Sequence, residues 1–473
     1  MERRSSLGRV LVNILILLGL LLLVAVPPVL TGWGNLRQGE QAMADGRFSE
    51  AAASYSLAAR RLPCRPVLWE MAGQAALAAG DAQAAISLFM QAENKKALSS
   101  QGWLALGDAY QQSGDRASAL STWQSGIAQH GPSAALYARL AQAQRVQGDY
   151  LAAIEAWRSR LALDAGDADA HYHLGLLLTA TRPEMALPDL MLAARLDPRL
   201  DAPVQSLRAS LNAALLVDDR PYQLVMAGRA LATLGDWDLA AEAFRRAVVA
   251  RGDYADAWAW LGEAHQHLGG DGLSDLEKAL LLNPDSAMVK ALYGLYWGRQ
   301  GKPEQALALF RRAIGLEPEN AAWQAAAGSA AEASGDLVAA LAYYKQAVAL
   351  DPQGVANWRA LAAFCARYQV EVTESGLPAA YRLLELAPAD WQSQDVMGQI
   401  MQAIGVPSSA EKYYLHALEL SPGQAAPHFH LGMLYLQMGK AQPAYDHLVK
   451  AHKLDSQGDY GWQAGRLLER YFP

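Results

Sequence analysis

The sequence predicts an all-α repeat solenoid behind one apolar helix. Three observations carry this expectation. Small residues recur every 34 positions over most of the chain. Alanine supplies much of an apolar share of 52%, which favours close-packed helices over sheets. Residues 10–30, VLVNILILLGLLLLVAVPPVL, hold one polar side chain, Asn13, and no charge. With charged residues at 18% and a net charge of −7, the chain is too apolar for disorder and lacks the basic balance of a nucleic-acid binder.

The apolar run is long enough to span a bilayer. Arg3, Arg4 and Arg9 precede it and Trp33 follows, whereas the next charges, Arg37, Glu40, Asp45 and Arg47, are mixed. This bias predicts a short cytoplasmic N-terminus at 1–9, a membrane anchor at 10–30 and an extracytoplasmic body. A cleaved signal peptide is the alternative, because the core from Ile14 to Val26 is short. However, no A-x-A site follows, and Pro27 and Pro28 occupy the expected cleavage region. Both readings place the body outside the cytoplasm.

The repeat begins at Gly39 and continues through Gly73, Gly107, Ala141 and Gly175. After a longer gap it resumes at Gly228, Gly262, Gly294, Gly328, Ala362, Gly398 and Gly432. A second glycine follows seven residues after most of these, as at Gly46, Gly80, Gly114 and Gly148. Five residues further comes alanine, and then a large residue such as Tyr55, Phe89, Trp123 or Trp157. Each unit contains two stretches of helical apolar period, so it reads as a helix pair. The first small residue lets the two helices cross closely. The second glycine ends the first helix in a left-handed cap. The large residue is expected to fill the space between units. Pro198, Pro284, Pro318, Pro352, Pro388 and Pro422 stop second helices.

These features resemble the tetratricopeptide repeat. The stretches WEMAGQAALAAGDAQAAISLFMQA (Trp69–Ala92), WLALGDAYQQSGDRASALSTWQSG (Trp103–Gly126) and YGLYWGRQGKPEQALALFRRAIGLEP (Tyr293–Pro318) carry the family pattern of W, LG, Y, A, F, A and P. The resemblance covers residues 32–458 and implies a right-handed α-solenoid of about twelve units. Five are expected in an N-terminal array at 32–200 and seven in a C-terminal array at 221–458. Residues 201–220 leave room for a single helix, and 459–473 read as a capping helix. Weaker breaks fall at 268–272 and 369–376.

Chemistry-bearing motifs have plain structural readings. His171 and His173, like His428 and His430, sit two apart on a helix and so point in different directions, which makes each pair a poor metal chelate. Asp164, Asp167 and Asp169 lack the spacing and final glutamate of a calcium loop. The pairs Arg60–Arg61, Arg245–Arg246 and Arg311–Arg312 read as a wet outer face, with an acidic partner or lipid headgroup as the alternative. Cys64 and Cys365 are too far apart along the array for a disulfide. No phosphate-loop, dinucleotide, nucleophile-elbow or zinc-protease motif occurs, and the repeats use up the chain. No catalytic residue, cofactor or metal is therefore expected.

The resemblance implies a groove of first helices that binds proteins or peptides. Its positions here would be Gln74, Asp108, Gln111, Gln112, Gln142 and Arg145, with Tyr172, Leu176, Leu295, Arg299, Phe429, Met433 and Gln437 further on. Tyr172 with Leu176, and Phe429 with Met433, are expected to form apolar patches. The lysine–asparagine set with which chaperone-binding members hold a terminal carboxylate has no counterpart here. The expected function is a non-enzymatic, membrane-anchored scaffold for envelope proteins. The alternative is an accessory or regulatory subunit of a membrane glycosyltransferase, polysaccharide-synthesis or export complex.

Overall fold

The structure, a computed structural model, describes residues 27–473. Among these residues there are helices and turns and no strand. The chain forms two compact units, one ending at Arg246 and the other running from Ala247 to Pro473. The expected anchor at 10–30 lies, up to residue 26, outside the described residues. Among the described residues no helix is long and apolar enough to cross a membrane.

In the first unit, helix pairs follow one another from a helix at 27–44 and its partner Phe48–Arg61. The next pairs are Val67–Ala78 with Ala82–Asn94, Ser100–Gln112 with Arg116–His130, Ala134–Val146 with Tyr150–Leu161, and Ala168–Thr181 with Ala186–Leu196. The helix Asp201–Leu215 then stands without a partner of its own. It buries Val204, Leu207, Leu211 and Ala214, one apolar stripe at helical spacing. Arg220–Thr233 and Trp237–Ala250 form the next pair, and the boundary between units falls inside the latter helix.

The second unit pairs Ala255–His267 with Leu273–Leu282, Ala287–Arg299 with Pro303–Leu316, and Ala321–Ala333 with Leu337–Leu350. Val355–Tyr368 with Leu377–Leu386, Trp391–Ala403 with Pro407–Leu420, and Ala425–Gln437 with Ala441–Leu454 complete the pairs. The helix Asp459–Tyr471 packs on the last of them. At 369–376 the expanded turn winds into a π-helical turn, Val372–Gly376.

The glycine pattern has a direct steric cause. A Cβ at Gly107 would lie 2.0 Å from Trp123 Nε1, and at Gly73 it would lie 2.8 Å from the Phe89 ring. Gly39 meets Tyr55, Gly228 meets Phe244, Gly328 meets Tyr344 and Gly398 meets Tyr414 in the same way. The large residue thus covers the glycine of its own unit, and it also reaches the following unit as expected: Trp157 stacks on His173 at 4.9 Å and Tyr414 on His430 at 5.6 Å between ring centroids. Tyr344 does both, since its ring also stands 5.5 Å from that of Phe364 in the following pair.

Gly114 shows why the second glycine recurs. Its φ is +89°, a left-handed conformation that a side chain would strain. The Gly114 amide donates to the Gln111 carbonyl and the Asp115 amide to that of Tyr110, closing the end of the first helix. Asp115 then caps the second helix by accepting from the Ser118 amide at 3.0 Å. Asp81, Asp149 and Asp336 cap their helices in the same place.

The prolines also do more than stop helices. Leu282, Leu316, Leu350 and Leu386 each end a helix two residues before a proline. The proline carbonyl then accepts a hydrogen bond from the side chain six residues on: Gln324 to Pro318, Trp358 to Pro352 and Gln394 to Pro388. A proline removes its own donor, and its carbonyl is satisfied by the next helix.

Candidate partner-binding surface

First helices present the residues expected to face a partner, and the structure sorts these into three groups. Gln111, Gln142 and Gln437 are exposed, and Gln74, Tyr172, Leu295 and Met433 are half-buried. Gln112 is exposed as well. Asp108, Arg145 and Arg299 are engaged in ion pairs. Leu176 and Phe429 are buried, at 4% and 9% exposure, and both expected apolar patches are corrected accordingly. Leu176 is packed into its helix layer. Phe429 belongs to a core with Leu448, Ala451 and Ala464, because the helix Asp459–Tyr471 closes over it.

In the first unit a cavity of about 620 Å³ is lined by Gln142, Arg145, Tyr150, Trp157, His173, Leu177 and Asp238. The Arg145 guanidinium donates to Asp238 at 2.7 and 2.9 Å and to Asp236 at 2.5 Å. Burial, with the adjacent Asp238 carboxylate, raises the pKa of Asp236. At Asp238 burial acts in the same direction but is outweighed by hydrogen bonds from Arg145 and Asp236, which lower it. This clasp joins the fourth helix pair to the sixth. Sequence reasoning missed Asp236 and Asp238. Asp236 follows a turn glycine, like Asp81 and Asp115, and so reads as one more helix cap.

The second unit holds a chamber of about 740 Å³ built on three successive first helices and the final helix. Its lining includes Arg367, Gln369, Gln399, Gln402, Tyr414, Phe429, His430, Met433, Gln437, Asp459, Tyr460 and Gln463. The polar groups are wired in a definite sense. The Tyr414 hydroxyl donates to Gln402 Oε1 at 2.8 Å, and Gln402 Nε2 donates to Gln437 Oε1 at 2.7 Å. Gln399 Nε2 donates to Asp395 at 2.9 Å, and His430 Nδ1 binds the same carboxylate at 2.9 Å. Arg367 pairs with Glu332 at 2.7 Å.

The two His-x-His pairs diverge as their helical spacing requires. His171 contacts Asp189 at 2.7 Å, while His173 stacks on Trp157 at 4.9 Å. His428 contacts His447 at 2.8 Å between Nδ1 atoms, while His430 turns to Asp395. Burial, joined by the charges of His447 and Lys450, lowers His428 to about 4. Among the described residues no three metal-ligating side chains gather. The acidic cluster is a helix entry: Asp167 caps Ala168–Thr181 and binds Arg160 at 2.7 Å. Arg60, Arg61, Arg245, Arg311 and Arg312 are exposed, and Arg245 and Arg246 both bind Glu242. Both cysteines are free, Cys64 exposed and Cys365 buried.

The geometry defines a helix-pair repeat protein whose first helices carry much of the polar and charged lining. A tetratricopeptide-repeat family model matches residues 36–98, 104–168, 225–270 and 294–355. Over those segments, about half of the chain, the repeats are tetratricopeptide repeats. Among solved structures, it is similar to a chain of the APC/C hetero-tetramer Cut9–Hcn1, at 14% identity over 92% of this chain and 95% of that one, with a TM-score of 0.42. It is also similar to yeast Tom70, at 15% identity over 93% and 95%, TM-score 0.40. A third similarity is to MamA from Desulfovibrio magneticus RS-1, at 21% identity over 37% and 98%, TM-score 0.32. By sequence, no curated protein matches the chain. Proteins of the repeat class mediate protein–protein interaction, and no enzyme family matches.

Proposed function

We propose that the protein is a non-enzymatic docking scaffold, tethered through residues 10–30, whose repeat array holds envelope proteins or peptides outside the cytoplasm. The observation that carries the binding role is the chamber on the first helices of the second unit, where amide groups line a space large enough for a chain segment. The tether rests on the apolar run with its three preceding arginines. Residues 27–30, the described end of that run, are exposed, and Gly32 and Trp33 just past it pack on the first repeat, Gly32 against Leu62 and the Trp33 ring under Arg65 at 4.8 Å.

Topology and binding are tested separately. Protease added to cells with an opened outer barrier digests the body, while an epitope within residues 1–9 stays protected. A mature N-terminus near Gly32 overturns the retained tether, and full protection of the body overturns export. Affinity capture from gently solubilised membranes recovers a specific partner set. A purified body that turns over a substrate alone overturns the scaffold reading.

A further inference from the structure

We infer that the edge of the first repeat where the apolar run enters the body docks on the headgroups of an anionic phospholipid bilayer, through Arg60, Arg61, Arg65, Lys95 and Lys96. This deepens the proposed tether and rests on it. Helices of alternating direction gather the turns between pairs on one edge of an array and the turns within pairs on the other. The start of the helix at 27–44 belongs to the first edge. A Cβ at Gly32 would lie 2.8 Å from Leu62 and 3.1 Å from Arg61 Cβ, at the end of Phe48–Arg61. The turn at 95–99 lies on the same edge. There the Ser99 amide and hydroxyl donate to Glu70 at 2.7 and 2.6 Å, one turn into Val67–Ala78.

All five cations are exposed. None of them has an ion pair among the described residues, and Arg65 lies over the Trp33 ring. Of the nearby carboxylates, Glu70 is buried and held by Ser99, which leaves Glu93 alone exposed. The opposite edge has the other sign. Asp45, Asp81, Asp115 and Asp149 are exposed there, against Arg47 and Arg116, and Arg47 is already paired with Asp45 and Glu50. The positive excess is also local. The next turn between pairs, His130 to Ser133, holds no Asp, Glu, Lys or Arg, and the one after holds Asp164 and Asp167. Unpaired cations thus gather at the two turns beside the apolar run.

Distances favour the bilayer as the occupant. At about 1.5 Å of helix rise per residue, Trp33 stands only about 5 Å beyond Leu30. The polar layer of a leaflet is roughly 5–8 Å deep. With the run spanning the membrane, Trp33 and the guanidinium 4.8 Å from it fall at headgroup level. Exposed Leu57 and Val67 flank the arginines and give apolar contact at the same level. A hydrated cation without a partner gains from an anionic surface and breaks no existing pair. A folded acidic protein would have to enter the few ångströms between this edge and the bilayer.

The full chain is placed in lipid nanodiscs of phosphatidylcholine, alone or with phosphatidylglycerol in equal parts. Cys64 is exposed within the patch and Cys365 is buried, so a maleimide fluorophore reports from Cys64. Lipid carrying a headgroup spin label quenches it on approach. Quenching rises about threefold with phosphatidylglycerol and falls back in high salt. The quadruple variant Arg60→Gln, Arg61→Gln, Lys95→Gln, Lys96→Gln abolishes the rise at an unchanged melting temperature, and Arg311→Gln, Arg312→Gln leaves it intact. Equal quenching in both lipids, or a rise that survives in the quadruple variant, overturns the inference. Soluble polyglutamate that moves the signal as far as phosphatidylglycerol does assigns the patch to an acidic protein and overturns it too. A chain that inserts into the discs without lipid-dependent quenching loses the docking and keeps the tether, whereas a chain that stays out of the discs loses both.

Discussion

The two units build their first-helix faces from the same repeat but tie them differently. In the second unit the ties run between neighbouring pairs at close to one repeat length: Arg299 to Glu263, Arg367 to Glu332, Gln402 to Gln437 and His430 to Asp395. In the first unit Arg139 to Asp108 follows that rule, but Arg145 reaches 91 and 93 residues ahead to Asp236 and Asp238. A regular array needs only neighbour contacts. The Arg145 clasp closes a cavity with charge, whereas the second unit leaves amides at the wall of its chamber. The repeat scaffold thus leaves the chemistry of the face free to differ from one part of the array to another.

The largest expected effect tests the scaffold that both units share. Gly107→Leu drives a side chain into the Trp123 ring and costs about 3 kcal/mol. Chemical denaturation followed by hydrogen exchange should place the loss in Ser100–Gln112, Arg116–His130 and their neighbours. Exchange unchanged in those helices would break the argument that glycine and ring form one contact.

Phe429→Ala removes a ring from beneath the last helix and also costs about 3 kcal/mol. Exchange across Asp459–Tyr471 rises, although Phe429 reads from its position as an open groove residue. An unaltered last helix would restore the groove reading.

A pH scan separates the units again. The His428–His447 pair is neutral when folded, and His428 is held near 4 against an ordinary value of about 6.5. A depressed folded pKa gives stability that is whole above about 6.5 and lost as pH falls towards 4. The loss is about 2–3 kcal/mol, read as a falling urea midpoint. The His428→Gln variant flattens this dependence, and an equally steep profile would reject the assignment.

The smallest pair of effects sharpens the contrast in the faces themselves. Arg145→Met strands two carboxylates and costs about 2 kcal/mol, reduced from a fully buried case because Asp238 is 41% exposed. Gln437→Met stays within about 0.5 kcal/mol, because its amide is exposed. Thermal melts of the two variants compare them directly. Equal losses would mean that the chamber amides are as structural as the clasp.

Local chemistry already legible in the chain determined the repeated parts. Gly114 and its counterparts must take positive φ to end a helix, Gly107 must lack a Cβ under Trp123, and prolines must follow second helices. These constraints act within a unit, so their residues recur at constant spacing. The periodic donor to the carbonyls of Pro318, Pro352 and Pro388, as from Gln394 to Pro388, was equally regular and open to reading. The face was legible only as candidate positions. Leu176 and Phe429 share the helix register of open residues, yet packing buries them; Phe429 lies under a helix some thirty residues later. Arg145 looks like any solvent-facing arginine until Asp236, a routine cap by its spacing, is brought beside it. Tertiary structure alone decided burial and partnership, because both depend on groups far along the chain that no local spacing records.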